Sequence, residues 1–151
     1  MDYIIKSIGI VKSPVIEGVD HNWGDVVSEI ILEEQYTDGL EGLDKFSHAV
    51  VIFYLHQAYF EAGTDLKRRP QGREDMPMVG IFAQRAKHRP NPIGLTTVEI
   101  VGVQANKLIV KGLDAIDGTP VLDIKPYYPV YDRKENSKTP EWVDILMKDY
   151  F

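Results

Sequence analysis

The segment "FAQRAKHRPNPIG", residues 82–94, carries Arg85, Arg89 and Asn91, side chains that donate planar or forked hydrogen bonds. Pro90 and Pro92 each fix φ near about −65° and press Arg89 and Asn91 toward extended backbone, so these donors have little entropy left to lose on ordering. Fixed donors of this kind suit a polyanionic or nucleotide ligand. The same residues also make a rigid connection into a strand at Leu95, with Gly94 easing a tight bend. Local sequence leaves both readings open.

A second basic group, Lys67, Arg68, Arg69 and Arg73, lies in "KRRPQGR"; with Arg85, Lys87 and Arg89 it places seven of the 17 Lys and Arg between positions 67 and 89. Positive potential of this density can serve a phosphate backbone or be a solvated loop. In "PVLDIKPY", Asp123 and Lys125 alternate and share one strand face. They form an ion pair on a wetted sheet, or else Asp123 accepts hydrogen bonds from an amine or ribose hydroxyl at a barrel mouth. His56 and Gln57, ending "VVIFYLHQ", are a strand-end polar pair or a ligand contact. Trp23 is a core plug or a base-stacking surface.

Other chemistries are excluded. The sequence has no cysteine and four scattered histidines, so thiolate metal sites, disulfides and thiol nucleophiles are ruled out and no metal site is expected. It contains neither G-x-G-x-x-G nor G-x-x-x-x-G-K-[ST], and no nucleophile elbow or H-E-x-x-H motif. A net charge of −6 argues against a general coat for nucleic acid. The start "MDYIIKSIGIV" reads as a first strand rather than a signal peptide, and no apolar run is long enough to span a membrane. A cytoplasmic location is expected.

The elements that must position these residues are mostly strands. "YIIKSIGIV", "VVSEIILEE", "AVVIFYLH", "MVGIFAQR", "LTTVEIVGV", "KLIVKGL" and "PVLDIKPY" show short apolar or period-two patterns rich in Val and Ile. "QANK" and "DGT" are hairpin signals that predict a meander of the last three strands. So many strands in one chain of 151 residues predict a mainly β, single closed barrel of about seven strands, covering 1–151 as one domain. "TPEWVDILMKDY" predicts a C-terminal helix capped by Thr139, with Trp142, Ile145 and Leu146 on one face. "TDGLEGLDKF" predicts a short helix. Residues 58–77 read as a long loop of functional interest, separated from the second basic group by a strand spanning ~20 Å.

Together "IGIVKSP", "GLEGLDKFSHAVVIFYLHQ", "GIFAQRAKHRPNPIGLTTVEIVGV" and "LDAIDGTPVLDIKPYYPVYD" resemble the TsaA-like, TrmO family. The resemblance implies a single-sheeted β-barrel that uses S-adenosylmethionine to methylate N6 of a threonylcarbamoyl-modified adenosine beside the tRNA anticodon. It also implies a homodimer that forms the active site. Cofactor contacts map by resemblance onto His56, Gln57, Arg85, Leu95, Leu113, Asp114, Ala115 and Ile116. A family Pro-Arg-Gln element is replaced here by Asn22, Trp23 and Gly24, which are expected to take its place at the cofactor. The extra C-terminal domain of longer bacterial members has no counterpart in this sequence. A hydrogen-bond acceptor near N6 helps the proton leave, and Asn91 and Asp123 are the candidates. Lys67, Arg68, Arg69, Arg73, Arg89 and Lys125 are the expected contacts to the RNA substrate.

Overall fold

Strands form where inward positions alternate with outward ones, and six such stretches close on themselves. The computed structural model describes residues Met1–Phe151. In β2 (Val27–Leu32), Ser28, Ile30 and Leu32 point inward; in β3 (His48–Tyr54), Ala49, Val51 and Phe53 do. β1 (Gly9–Lys12) contributes Val11, β6 (Ile93–Gln104) Thr96 and Val98, β7 (Lys107–Lys111) Leu108 and Val110, and β8 (Pro120–Pro126) Val121. The apolar ones among them fill the barrel interior together with Leu40, Leu43, Leu113 and Ala115, and Ser28 and Thr96 are buried polar residues. The closed order is β1-β2-β7-β6-β3-β8, every pairing antiparallel. Closure leaves no barrel strand with an unpaired edge.

Several expectations need correction. The barrel has six strands rather than about seven, because "MVGIFAQR" supplies only β5 (Val79–Gly80), which pairs with β4 (Lys67–Arg68) in a separate two-stranded ladder. The chain then curls through a 3-10 turn at Ile81–Ala83, and the buried Gln84 amide donates to the carbonyls of Arg68 (2.8 Å) and Val79 (2.9 Å). That amide ties the two basic segments together, so no strand-length gap lies between them. Residues 58–77 are also not structureless: they hold α1 (Ala62–Asp65), β4 and a 3-10 turn at Pro70–Gly72.

The Asp117-Gly118 turn does not join paired strands. Both edges of β7 are taken, by β2 and β6, so the chain must cross the barrel end to reach the gap between β1 and β3. Gly118 adopts φ +81°, and the turn closes onto β1 and the residues just beyond it: Gly118 N–H donates to Val11 O (2.8 Å), and Ser13 N–H to Asp117 Oδ1 (2.9 Å). Turn chemistry set the reversal, and burial chose the partner. The Gln104–Lys107 connection is a true two-residue hairpin, with Ala105 at φ 53°.

"TDGLEGLDKF" forms two 3-10 helices, Glu34–Leu40 and Leu43–Lys45, that bury Leu40 and Leu43. Two further helices are short: α2 (Pro129–Asp132) and α3 (Glu141–Met147). α3 starts after an extended Pro140 without the expected Thr139 side-chain cap. Trp142 and Leu146 are half-buried, whereas Ile145 is exposed. Gly94 eases no bend; it lies inside β6, where a Cβ would come within 2.3–2.9 Å of three atoms of the Phe53 ring.

Candidate functional site

One end of the barrel gathers the last residues of β3, the first of β6 and the crossing between β7 and β8. Leu55 N–H donates to Pro92 O (2.8 Å), which sets half-buried His56 and exposed Gln57 beside the entry to β6. In the crossing, the buried Leu113 and Ala115 side chains pin the backbone down. The N–H groups of Leu113, Asp114, Ala115 and Ile116, and the carbonyls of the first three, have no hydrogen-bond partner within the protein. Backbone groups seated this close to a core are otherwise nearly always paired, so this stretch presents a row of donors and acceptors to a ligand.

Asp114 stands at the centre of that row. Its Oδ1 accepts from the hydroxyl of Thr96, buried on β6, and its Oδ2 from the hydroxyl of Tyr150. A carboxylate offers about four lone-pair sites, so two hydroxyls leave acceptor capacity for a ligand. Arg85 donates from Nη2 to Leu95 O (2.5 Å), with the half-exposed Leu95 side chain beside it. Burial, first of all, pushes the Tyr150 phenol well above its ordinary value of 10.0; the charge and hydrogen bond of Asp114 and the charge of Asp20 add to this, and Arg85 opposes it. Arg85, Asp114 and Tyr150 are therefore electrostatic neighbours.

The proton on Tyr150 is held more tightly in the folded chain than in the unfolded one. Its contribution is complete below the ordinary value of 10.0 and is lost as pH rises above it. Tyr150→Phe is expected to remove a component of alkaline destabilisation that begins near that pH. Superimposable alkaline unfolding curves for the two proteins would count against a buried, protonated Tyr150.

The segment Asn22–Gly24 reaches this site indirectly. Trp23 is 2% exposed and its indole N–H donates to Val19 O (2.9 Å), so it is a plug and offers no stacking face. The N–H groups of Asn22 and Trp23 donate to Asp149 O and Tyr150 O, both at 2.8 Å. The segment thus docks the C-terminal tail.

The remaining candidates lie apart from this cluster or are already engaged. Asp123 pairs with Lys125 at 2.8 Å, and its Oδ1 accepts the Ile124 N–H, so it sits on the outer wall instead of in the mouth. Arg89 spends Nη1 on the carbonyls of Gln84 (2.9 Å) and Ala86 (3.2 Å), holding its own loop. Asn91 is exposed, with its side chain free of protein partners. In the basic loop, Arg68 pairs with the buried Asp65 (3.0 Å), Arg73 grips Asp75 through two bonds (2.9 and 2.6 Å), and Arg69 donates to Met76 O. Lys67 alone of the four is unpaired. Thr96 and Tyr150 are the site residues that sequence reasoning missed: strand parity could have pointed Thr96 inward, but no signal marks Tyr150. No helix is long and apolar enough to cross a membrane.

Comparison with known proteins bears on this site. The family model described as the tRNA-methyltransferase O N-terminal domain matches residues 20–133. An S-adenosyl-L-methionine-binding protein of Archaeoglobus fulgidus is 41% identical over 133 residues, covering 85% of this chain and 92% of that one. The tRNA (adenine(37)-N6)-methyltransferase of Escherichia coli is 38% identical over 135 residues, covering 82% of this chain and 57% of that protein. The crystal structure of TrmO from P. aeruginosa superimposes with a TM-score of 0.76 at 31% identity, over 94% of this chain. This chain spans 62% of that solved structure's length.

Proposed function

The chain belongs to the tRNA-methyltransferase O family, and from that premise we propose that it is an S-adenosylmethionine-dependent methyltransferase acting on N6 of an adenosine in tRNA. The observation that carries this reading is the unpartnered backbone of Leu113–Ile116, which coincides with the positions the family resemblance assigns to the cofactor. The donor set fits an adenosyl ligand. Backbone N–H and C=O groups suit the edge of a base, the Asp114 carboxylate suits hydroxyl or ammonium donors, and Leu95 offers an apolar face.

When bound, S-adenosylmethionine supplies a methyl group on a positively charged sulfur. The chain's own contribution is to hold both partners: fixing reacting groups in line is worth roughly 7–11 kcal/mol at its upper limit. Arg85 is anchored on the β6 backbone and Asp114 by two hydroxyls, so neither has to reorganise. Asn91, exposed and without a partner, is favoured over the paired Asp123 as the acceptor near N6. The finer reading is that the acceptor is a threonylcarbamoyl-modified adenosine next to the anticodon. It also takes the active unit to be a cytoplasmic homodimer built from single-domain chains.

The test is binding calorimetry with S-adenosylmethionine, followed by nucleoside mass spectrometry of tRNA taken from cells lacking this protein. Methylated adenosine together with S-adenosylhomocysteine is expected. Cofactor binding with no product on that tRNA would sink the tRNA reading. It would favour a barrel serving a smaller acceptor, a reading already suggested by the internal engagement of Arg68, Arg69 and Arg73.

Within the tRNA reading, the basic loop divides. Lys67→Ala is expected to flatten the salt dependence of tRNA binding by about one phosphate contact and leave the Tm alone. Arg68→Ala should instead lower the Tm, because it strands the carboxylate of Asp65, 2% exposed, without its cation. An unchanged salt slope for Lys67→Ala would show that the loop does not touch phosphate.

A further inference from the structure

We propose that Tyr150 is a positioning residue of the cofactor site: held by the docked C-terminal tail, its hydroxyl orients the Asp114 carboxylate toward the ligand. The inference rests on the reading that Asp114 contacts S-adenosylmethionine. Asp114 belongs to a crossing segment, not a strand, so no ladder fixes its side chain, and a free carboxylate turns readily about its last torsion. One hydroxyl donor on each oxygen removes that freedom. Thr96 supplies the first from the buried face of β6, and Tyr150 the second.

The second donor is useful only if Tyr150 is itself fixed, and three independent contacts fix it. The backbone N–H groups of Asn22 and Trp23 grip the carbonyls of Asp149 and Tyr150. The Tyr150 ring meets Phe151 edge-on at 4.8 Å between centroids. Phe151 in turn rests where residue 24 lacks a side chain: a Cβ on Gly24 would lie 2.6 Å from its carbonyl carbon. Trp23, between Asn22 and Gly24, is buried and its indole N–H is held by Val19 O, which anchors the segment. Asn22-Trp23-Gly24 therefore serves the site as a dock for Tyr150, through backbone N–H groups and the space left at Gly24. Both hydroxyls donate to Asp114, one to each oxygen, and the remaining lone pairs accept from the ligand's own hydroxyl or ammonium group.

The test compares wild type, Asp114→Ala, Tyr150→Phe and the double variant by calorimetry with S-adenosylmethionine, and records Tm for each. Tyr150→Phe is expected to weaken binding about tenfold, the usual worth of a hydrogen bond to a charged group, with its Tm near wild type. Asp114→Ala is expected to weaken binding more strongly. In the Asp114→Ala background, removal of the Tyr150 hydroxyl should change affinity by less than about twofold, since nothing is left to orient. Wild-type or tighter binding by Tyr150→Phe, alongside a loss in Asp114→Ala, overturns the positioning role and leaves the cofactor site standing. A full tenfold loss in the double variant relative to Asp114→Ala overturns it as well, because Tyr150 would then act without Asp114. Wild-type affinity in Asp114→Ala overturns the cofactor assignment itself, and the inference with it.

Discussion

Gly94→Ala is expected to destabilise the protein by about 3 kcal/mol, lowering its Tm by about 10 °C. The added methyl would meet three atoms of the Phe53 ring at 2.3–2.9 Å, and Phe53 is 1% exposed in the middle of the core. The backbone cannot yield, because β6 pairs along its length with β3 and then β7. The ring cannot yield without displacing its own neighbours in a close-packed interior. Phe53→Leu in the same chain should recover part of the loss, since the two positions share one contact and their effects are not additive. A Tm within about 2 °C of wild type for Gly94→Ala would show that the ring moves aside at little cost.

Arg85→Ala, by contrast, is expected to spare the fold and weaken S-adenosylmethionine binding by about 10- to 100-fold. Arg85 is exposed and makes a single bond to the Leu95 carbonyl, so the core loses nothing when it is truncated. At the site, truncation removes the one cation that opposes the negative charge of Asp114 and Asp20 around Tyr150. Arg85→Lys should bind nearly as poorly, because an ammonium cannot hold the Leu95 carbonyl and present a second planar donor together. Calorimetry and thermal melts on the same samples separate the outcomes. A large fall in Tm with unaltered affinity would make Arg85 a structural residue.

The barrel was legible because alternation is a local property. Ser28, Ile30 and Leu32, or Ala49, Val51 and Phe53, announce an inward face without reference to the rest of the chain. The partner of a strand is not local, and Asp117-Gly118 shows why: the turn was read correctly as a turn, yet β7 had no free edge left to receive β8. Val79–Gly80 failed as a barrel strand for a related reason, since six strands already closed the sheet. Of the candidate site, Leu95 and Leu113–Ile116 were reached through the family resemblance, whereas Arg85 also stood out among the donors of its proline-stiffened segment. Asp123-Lys125 proved to be the commonplace ion pair. Arg68 and Arg73 had acidic partners three and two residues away, Asp65 and Asp75, which the sequence displayed and charge counting passed over. Tyr150 was beyond reach, because its importance comes wholly from where the tail docks.

The closing pair of the barrel joins Gly9 to Val121, and this sets the timetable on the ribosome. At roughly 5–20 residues per second, β1 waits on the order of 5–20 s after it emerges before β8 is synthesised. Throughout that interval β1 can hold β2, but its other edge and the free edge of β3 stay open to neighbouring chains. The nascent protein is thus most vulnerable to aggregation just before its final strand appears. The tail that carries Tyr150 emerges later still, so its hydroxyl is the last partner to reach Asp114.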